Sequence, residues 1–268
     1  MKEDEAAGAL TKRRTRRGPG AETALSCALF LVLLAGWEAF VRWRGIPPLI
    51  LPTPGMVGSS LISNLRNGVL FIHLGVTLAE VALGFLVGSG FGAGLGIVVA
   101  VSPKVRRVLH PYLIASQTMP KLALAPIFVM WFGFGILPKV LITALIAFFP
   151  LFENTVVGLN EVDSDAVELF RALRASPWQT LCWLRLPNAV PYIAAGLRVA
   201  MVLSIVGAVV AEYVGANRGL GALIISAQGV MDTPLMFAVF VVLIVLGVGL
   251  YHVVGGVERQ FLARRYRD

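Results

Sequence analysis

A chain of 268 residues that is 57% hydrophobic and only 14% charged, with a mean hydropathy of +0.80, is too apolar for a water-soluble domain of its size. Its formal charge of +8 would suit a nucleic-acid partner, but the basic residues gather beside apolar runs, which excludes that class in favour of an integral membrane protein. Two cysteines, Cys27 and Cys182, and three histidines offer neither a structural disulfide nor a metal site, and no cofactor is expected.

Residues 1–20 hold Lys2, Lys12, Arg13, Arg14, Arg16 and Arg17 and read as a disordered basic tail whose role is topology and attraction to anionic headgroups. Near-continuous apolar runs follow at about 22–42, 76–101, 108–132, 136–159, 189–213 and 234–257, each long enough to cross a hydrocarbon core of about 30 Å. The expected fold is therefore all-α, with about six transmembrane helices in one domain over 21–268. A secretory signal competes for residues 12–40, but the run is long and its flank, L-A-G-W-E-A-F-V-R-W, is bulky where cleavage needs small residues. An uncleaved first span is expected.

After that span, the Pro-rich stretch Ile46–Gly55 should run along the outer face, and residues 56–72 carry Val57, Leu61 and Leu65 at the spacing of an interfacial amphipathic helix. The second span contains Gly84, Gly88, Gly92 and Gly96, a small-residue ladder whose helix cost implies close approach to another helix. Packing within the bundle is the plain reading, with a dimer seam or pore lining as alternatives. Pro120, Pro126 and Pro150 mark the third and fourth spans as the ones to be kinked or broken.

Polar residues inside spans must face the bundle or water, which singles out Glu80, Gln117, Lys121, Glu153, Asn154, Arg198 and Glu212. Of these, Gln117, Lys121, Glu153 and Arg198 are candidates for a translocation pathway. Lys121 follows Pro120 in a broken helix, where it either meets an anionic solute or pairs with a glutamate, and Arg198 poses the same choice. His73, His110 and His252 fall at membrane edges with no triad partners nearby. No Lys follows a Gly anywhere, so there is no phosphate-binding G-x-x-x-x-G-K-[ST] loop; the chain is not expected to be an enzyme.

Between the fourth and fifth spans lies a hydrophilic island, Glu161 to Pro187. Val162, Ala166, Leu169, Phe170 and Leu173 form one apolar stripe on a helix there, with Asp165 and Glu168 spaced as a capping box and a stop near Arg174. Ser176, Pro177 and Gln179 then open a second short helix expected to end before Pro187. An inter-span loop needs less than two capped helices, so the island reads as a handle for a cytosolic partner. Together with the tail, the connection holding Lys104, Arg106 and Arg107, and the C-terminal Arg259, Arg264, Arg265 and Arg267, it carries sixteen of the 23 Lys and Arg. The positive-inside rule then places both termini in the cytosol.

The island resembles the signature of importer-type ATP-binding-cassette (ABC) permeases, E-A-A-x3-G-x9-I-x-L-P, in register: Glu168, Leu169, Phe170, Arg174, Leu184, Leu186 and Pro187. The segments P-P-L-I-L-P-T-P, S-Q-T-M-P-K-L-A-L-A-P, P-Y-I-A-A-G-L-R-V-A and A-E-Y-V-G-A-N-R-G-L-G resemble the nitrate/sulfonate/taurine branch of that family, and the likeness covers about 46–257. The resemblance implies a type I importer permease fold in a bacterial inner membrane. It implies a coupling helix in 161–187 seated on a cytosolic ATPase dimer, a second permease copy, and an extracytoplasmic substrate-binding protein. The solute it implies is a small anion such as a sulfonate, taurine or nitrate, although P-K-L-A-L-A-P also resembles carriers of pyrimidine or vitamin precursors. Leu169 and Phe170 replace the motif alanines and Arg174 its glycine, so the turn after the coupling helix is expected either to use a right-handed geometry or to bend at Ala175 and Ser176. Two other classes compete: an ion-coupled secondary transporter using Glu80, Glu153 or Glu212, and a membrane scaffold that binds a cytosolic partner.

Overall fold

The computed structural model describes residues 19–265, all of them in helices or the links between helices. Helix α1 (Pro19–Arg44) stands at the edge of the bundle with most of its apolar side chains uncovered, as a lipid-facing span requires. The short α2 (Pro54–Arg66) follows, with Thr53 capping it by accepting from the Met56 amide at 3.4 Å and Pro54 in its first turn. Gly68, at φ 74°, makes the left-handed turn into α3 (Val69–Val101), so the second span begins seven residues before the expected 76.

The third expected span is broken. Ser102 caps α4 (Pro103–Thr118), which stops where Pro120 can supply no amide; a 3-10 turn over Lys121–Leu124 then leads into α5 (Ala125–Phe132), the two arms meeting at 82°. Among the described residues, five helices are long and apolar enough to cross a bilayer, and six if this bent pair counts as one span. Pro150 behaves differently. It lies within α6 (Ile136–Asn160) without ending it, and its carbonyl accepts from Asn154 Nδ2 at 2.7 Å.

Helix α6 is the centre of the bundle, packed along α3 on one side and α9 (Leu186–Gly215) on the other. The glycine ladder explains the first contact: Gly84 faces Thr143, Gly88 the Ala144 carbonyl, Gly92 the Phe148 carbonyl and Gly96 Thr155. A Cβ on Gly92 would stand 2.6 Å from that oxygen, so these four positions let two backbones touch. The ladder is thus a seam inside one chain. At the N-terminal end of α3, α10 (Leu220–Gly229) and α11 (Thr233–Arg265) pack over Leu70 through Leu220, Leu223, Ile224 and Val239.

The island forms α7 (Ser164–Ala172) and α8 (Pro177–Thr180). Against expectation, α8 does not end before Pro187: a π turn over Leu181–Arg185 joins it to α9, giving one helix from Pro177 to Gly215. The wider π turn absorbs the missing amide and the ring of Pro187, which would otherwise collide with the preceding turn. The island's second half is therefore one end of the fifth span.

Candidate functional site

The island's geometry follows from its caps. Asp163, not Asp165, is the N-cap of α7, accepting from the Asp165 amide at 2.9 Å. At the other end the Ala175 amide donates to the Phe170 carbonyl at 3.0 Å and the Arg174 amide to the Arg171 carbonyl at 2.9 Å, with Arg174 itself at φ 55°. This is a Schellman closure with an arginine at the left-handed position. Both expected alternatives for this turn are thereby corrected: it is left-handed, at the position where the resembling motif has glycine, because satisfying the last carbonyls of α7 demands that geometry from whichever residue stands there. Ser176 and Gln179 close the expected capping box on α8, with the Ser176 hydroxyl accepting at 3.2 Å and the Gln179 side chain at 2.7 Å.

The apolar stripe of α7 divides. Val162, Ala166 and Phe170 are half-buried against the bundle, whereas Leu169 and Leu173 stand 58% and 69% exposed. Trp178 and Trp183 are 71% and 75% exposed, and Glu168 is exposed with no partner among the described residues. Leu184, Leu186 and Pro187 are half-buried, and Leu186 packs on the cluster of Ala100, Leu159, Leu181 and Ala189. The Asn188 side chain donates to the carbonyls of Glu161 and Gly158, tying the start of the island to the fifth span.

Three of the four pathway candidates come together. Gln117 Nε2 donates to Glu153 Oε1 at 2.6 Å, and Lys121 Nζ lies 4.1 Å from the ring centre of Phe149, one turn before Glu153 on α6. Lys121 makes no ion pair among the described residues. Arg198 lies apart: its guanidinium pairs with Glu258 and sits 5.9 Å from the Tyr251 ring, fastening α9 to α11.

Glu80 and Glu212 belong to a buried network, toward the end of the long helix away from the island, that the sequence left in pieces. Glu80 pairs with Lys139 of α6, while Glu212 accepts from Thr77 Oγ1 at 2.6 Å and from the Gly221 amide. Thr77 also accepts from the Leu220 amide at 2.7 Å, and His73 Nδ1 meets the Gly219 backbone at 2.7 Å from its carbonyl. His73, Thr77 and Glu80, at i, i+4 and i+7, share one face of α3; that spacing was the available signal. Gly219, at φ 130°, lies against the Glu212 carboxyl, where a side chain would collide with it.

Residues 88–267 match the family described as binding-protein-dependent transport system inner membrane component. The chain belongs to this family. Among relatives, the permease is 37% identical over 229 residues to the riboflavin transport system permease protein RibX of Chloroflexus aurantiacus, covering 85% of each chain. It is 34% identical over 253 residues, 92% of each chain, to the putative aliphatic sulfonates transport permease protein SsuC of Bacillus subtilis. An inward-facing structure of the MetNI methionine ABC transporter shares its fold at a TM-score of 0.62 and 20% identity, covering 69% of this permease and 92% of that chain. The chain is thus the multi-pass inner-membrane permease subunit of an ABC importer, works with an ATPase and a substrate-binding protein, and is not itself an enzyme.

Proposed function

We propose that this permease moves a small anionic solute, of the sulfonate, taurine or nitrate class, through a pathway beside Gln117, Lys121 and Glu153, and that the island is its coupling handle. In this reading two copies form the pathway, both termini lie in the cytosol, and Glu168, Leu169, Phe170, Arg174, Leu184, Leu186 and Pro187 form or support the surface that meets the ATPase. What carries the handle is the exposure of Leu169, Leu173 and Trp178 on a polar, capped structure outside the spans, since uncovered apolar groups clustered on a polar surface mark a docking site. What supports an anion is Lys121, a cation held beside a helix break without a carboxylate partner. A vitamin or heteroaromatic precursor is the second reading, favoured by the likeness to RibX and by the Phe149 ring under Lys121.

The test is copurification of the tagged permease from native membranes, with an ATPase assay on the eluate. Glu168→Ala with Leu169→Glu should lower recovery of a P-loop ATPase at least about fivefold, the loss of an interface anchor of about 1–3 kcal/mol, while membrane insertion is kept. Unchanged recovery removes the island from the interface. Transport by the permease alone in liposomes would move the assignment to an ion-coupled carrier.

A further inference from the structure

Behind the island, where the second and fifth spans meet the cytosol, is a cavity of about 230 Å³. It is lined by Arg171 of α7 and Arg185 of the π turn, by Thr180, and by Val101 and Leu181 at the span ends. No acidic residue lines it, and neither arginine pairs with a carboxylate among the described residues. Among the described residues the Arg185 side chain has only a long bond, 3.5 Å, to the Ala100 carbonyl, and the Arg171 side chain has none. Two arginines thus line one half-enclosed space, neither of them paired with a carboxylate among the described residues. Pro177, the first residue of the long helix to Gly215, also lines it, so the positive end of that helix adds to the same field.

We infer that this cavity is a site for a phosphate-type oxyanion, and that its occupant is the headgroup of an anionic phospholipid of the inner leaflet. Depth argues for lipid: Val101 is the last residue of α3, and buried Leu181 opens the membrane-going part of the fifth span, so the cavity lies at headgroup level. Basic pockets between spanning helices on the cytosolic side are where such headgroups bind. Orientation argues against the ATPase. Val167 and Arg171 line the cavity, whereas Leu169 and Leu173 stand about 200° around the same helix and face solvent. The coupling helix therefore offers one face to protein and the other to lipid phosphate. Arginine suits the role, since its planar fork matches two phosphate oxygens. This inference is independent of which solute is carried.

The experiment uses the full permease with its partners in nanodiscs, of phosphatidylcholine alone or with phosphatidylglycerol, and reads retained lipid by native mass spectrometry after release into detergent. The wild type should retain phosphatidylglycerol. Arg171→Gln with Arg185→Gln should lower retention about thirtyfold, roughly fivefold for each charge. Arg171→Lys with Arg185→Lys, which keeps the charge, should recover part of it and serves as the folding control. Lys104→Gln with Arg106→Gln, on the same side of the membrane but outside the cavity, should change retention little. Equal loss in that control would reduce the effect to general surface attraction and overturn the site. Displacement of the lipid by millimolar inorganic phosphate would assign the site to the free ion and overturn the lipid assignment. Unchanged retention in the glutamine pair, with ATPase recovery lost instead, would give the arginines to the protein interface.

Discussion

Arg174 concentrates the residue-scale question, because the closure of α7 asks for a left-handed residue and the chain supplies one with a long side chain. A non-glycine residue there costs roughly 1–2 kcal/mol of local strain. Arg174→Gly should therefore stabilise the purified permease by about 1 kcal/mol less the unfolded-state entropy of glycine, a net gain of a few tenths, while Arg174→Val should destabilise it by over about 1 kcal/mol. Thermal unfolding of both variants in one detergent checks the order. A wild type more stable than the glycine variant would mean that the arginine side chain contributes binding that offsets the strain. The left-handed turn itself was not legible from residue type, since arginine at that position points elsewhere. It is fixed by the unpaired carbonyls of Phe170 and Arg171, which only the three-dimensional helix end reveals.

Among elements, legibility followed the strength of the local signal. Ser176, Pro177 and Gln179 announced α8 because three independent helix-start preferences coincide within four residues. Asp165 read as the cap because Glu168 stands three residues after it, and only backbone geometry shows that Asp163 holds that place. The continuation through Pro187 was hidden for a related reason: proline predicts a break, and the π turn that accommodates it has no sequence signature. The glycine ladder was readable as close approach, but not its partner. With that partner now identified as α6, Gly92→Leu should force α3 off the Phe148 carbonyl and cost about 3 kcal/mol or more, seen as loss of a monodisperse peak on size exclusion. Gly94→Leu, whose site is open, should leave the peak unchanged. Equal behaviour of the two variants would mean that the α3–α6 seam is not tight.

At the scale of the whole molecule, the helix from Pro177 to Gly215 joins the island to the buried network at its far end, a reach of roughly 60 Å. Its island end carries Trp178 and Trp183, and its far end carries Glu212, which holds Thr77 of α3 and the Gly221 amide that starts α10. A lever needs a firm attachment at both ends if movement imposed on one is to reach the other, since coupling is carried by rigid elements with two discrete arrangements. Glu212→Ala removes the far attachment without touching the island. ATP hydrolysis by the assembled importer should then persist while solute uptake falls roughly tenfold, within the range of ordinary coupling free energies. Glu212→Gln keeps one oxygen to accept from the Gly221 amide and puts an amide donor beside the Thr77 hydroxyl, which can turn its own proton to the His73 carbonyl, so it should retain most uptake. Loss of hydrolysis and uptake together in the alanine variant, with the complex still assembled, would show that the buried network governs ATPase activity as well as access. Unchanged uptake would show that the long helix is not the lever and would leave the shift to α6, which is packed against both α3 and α9.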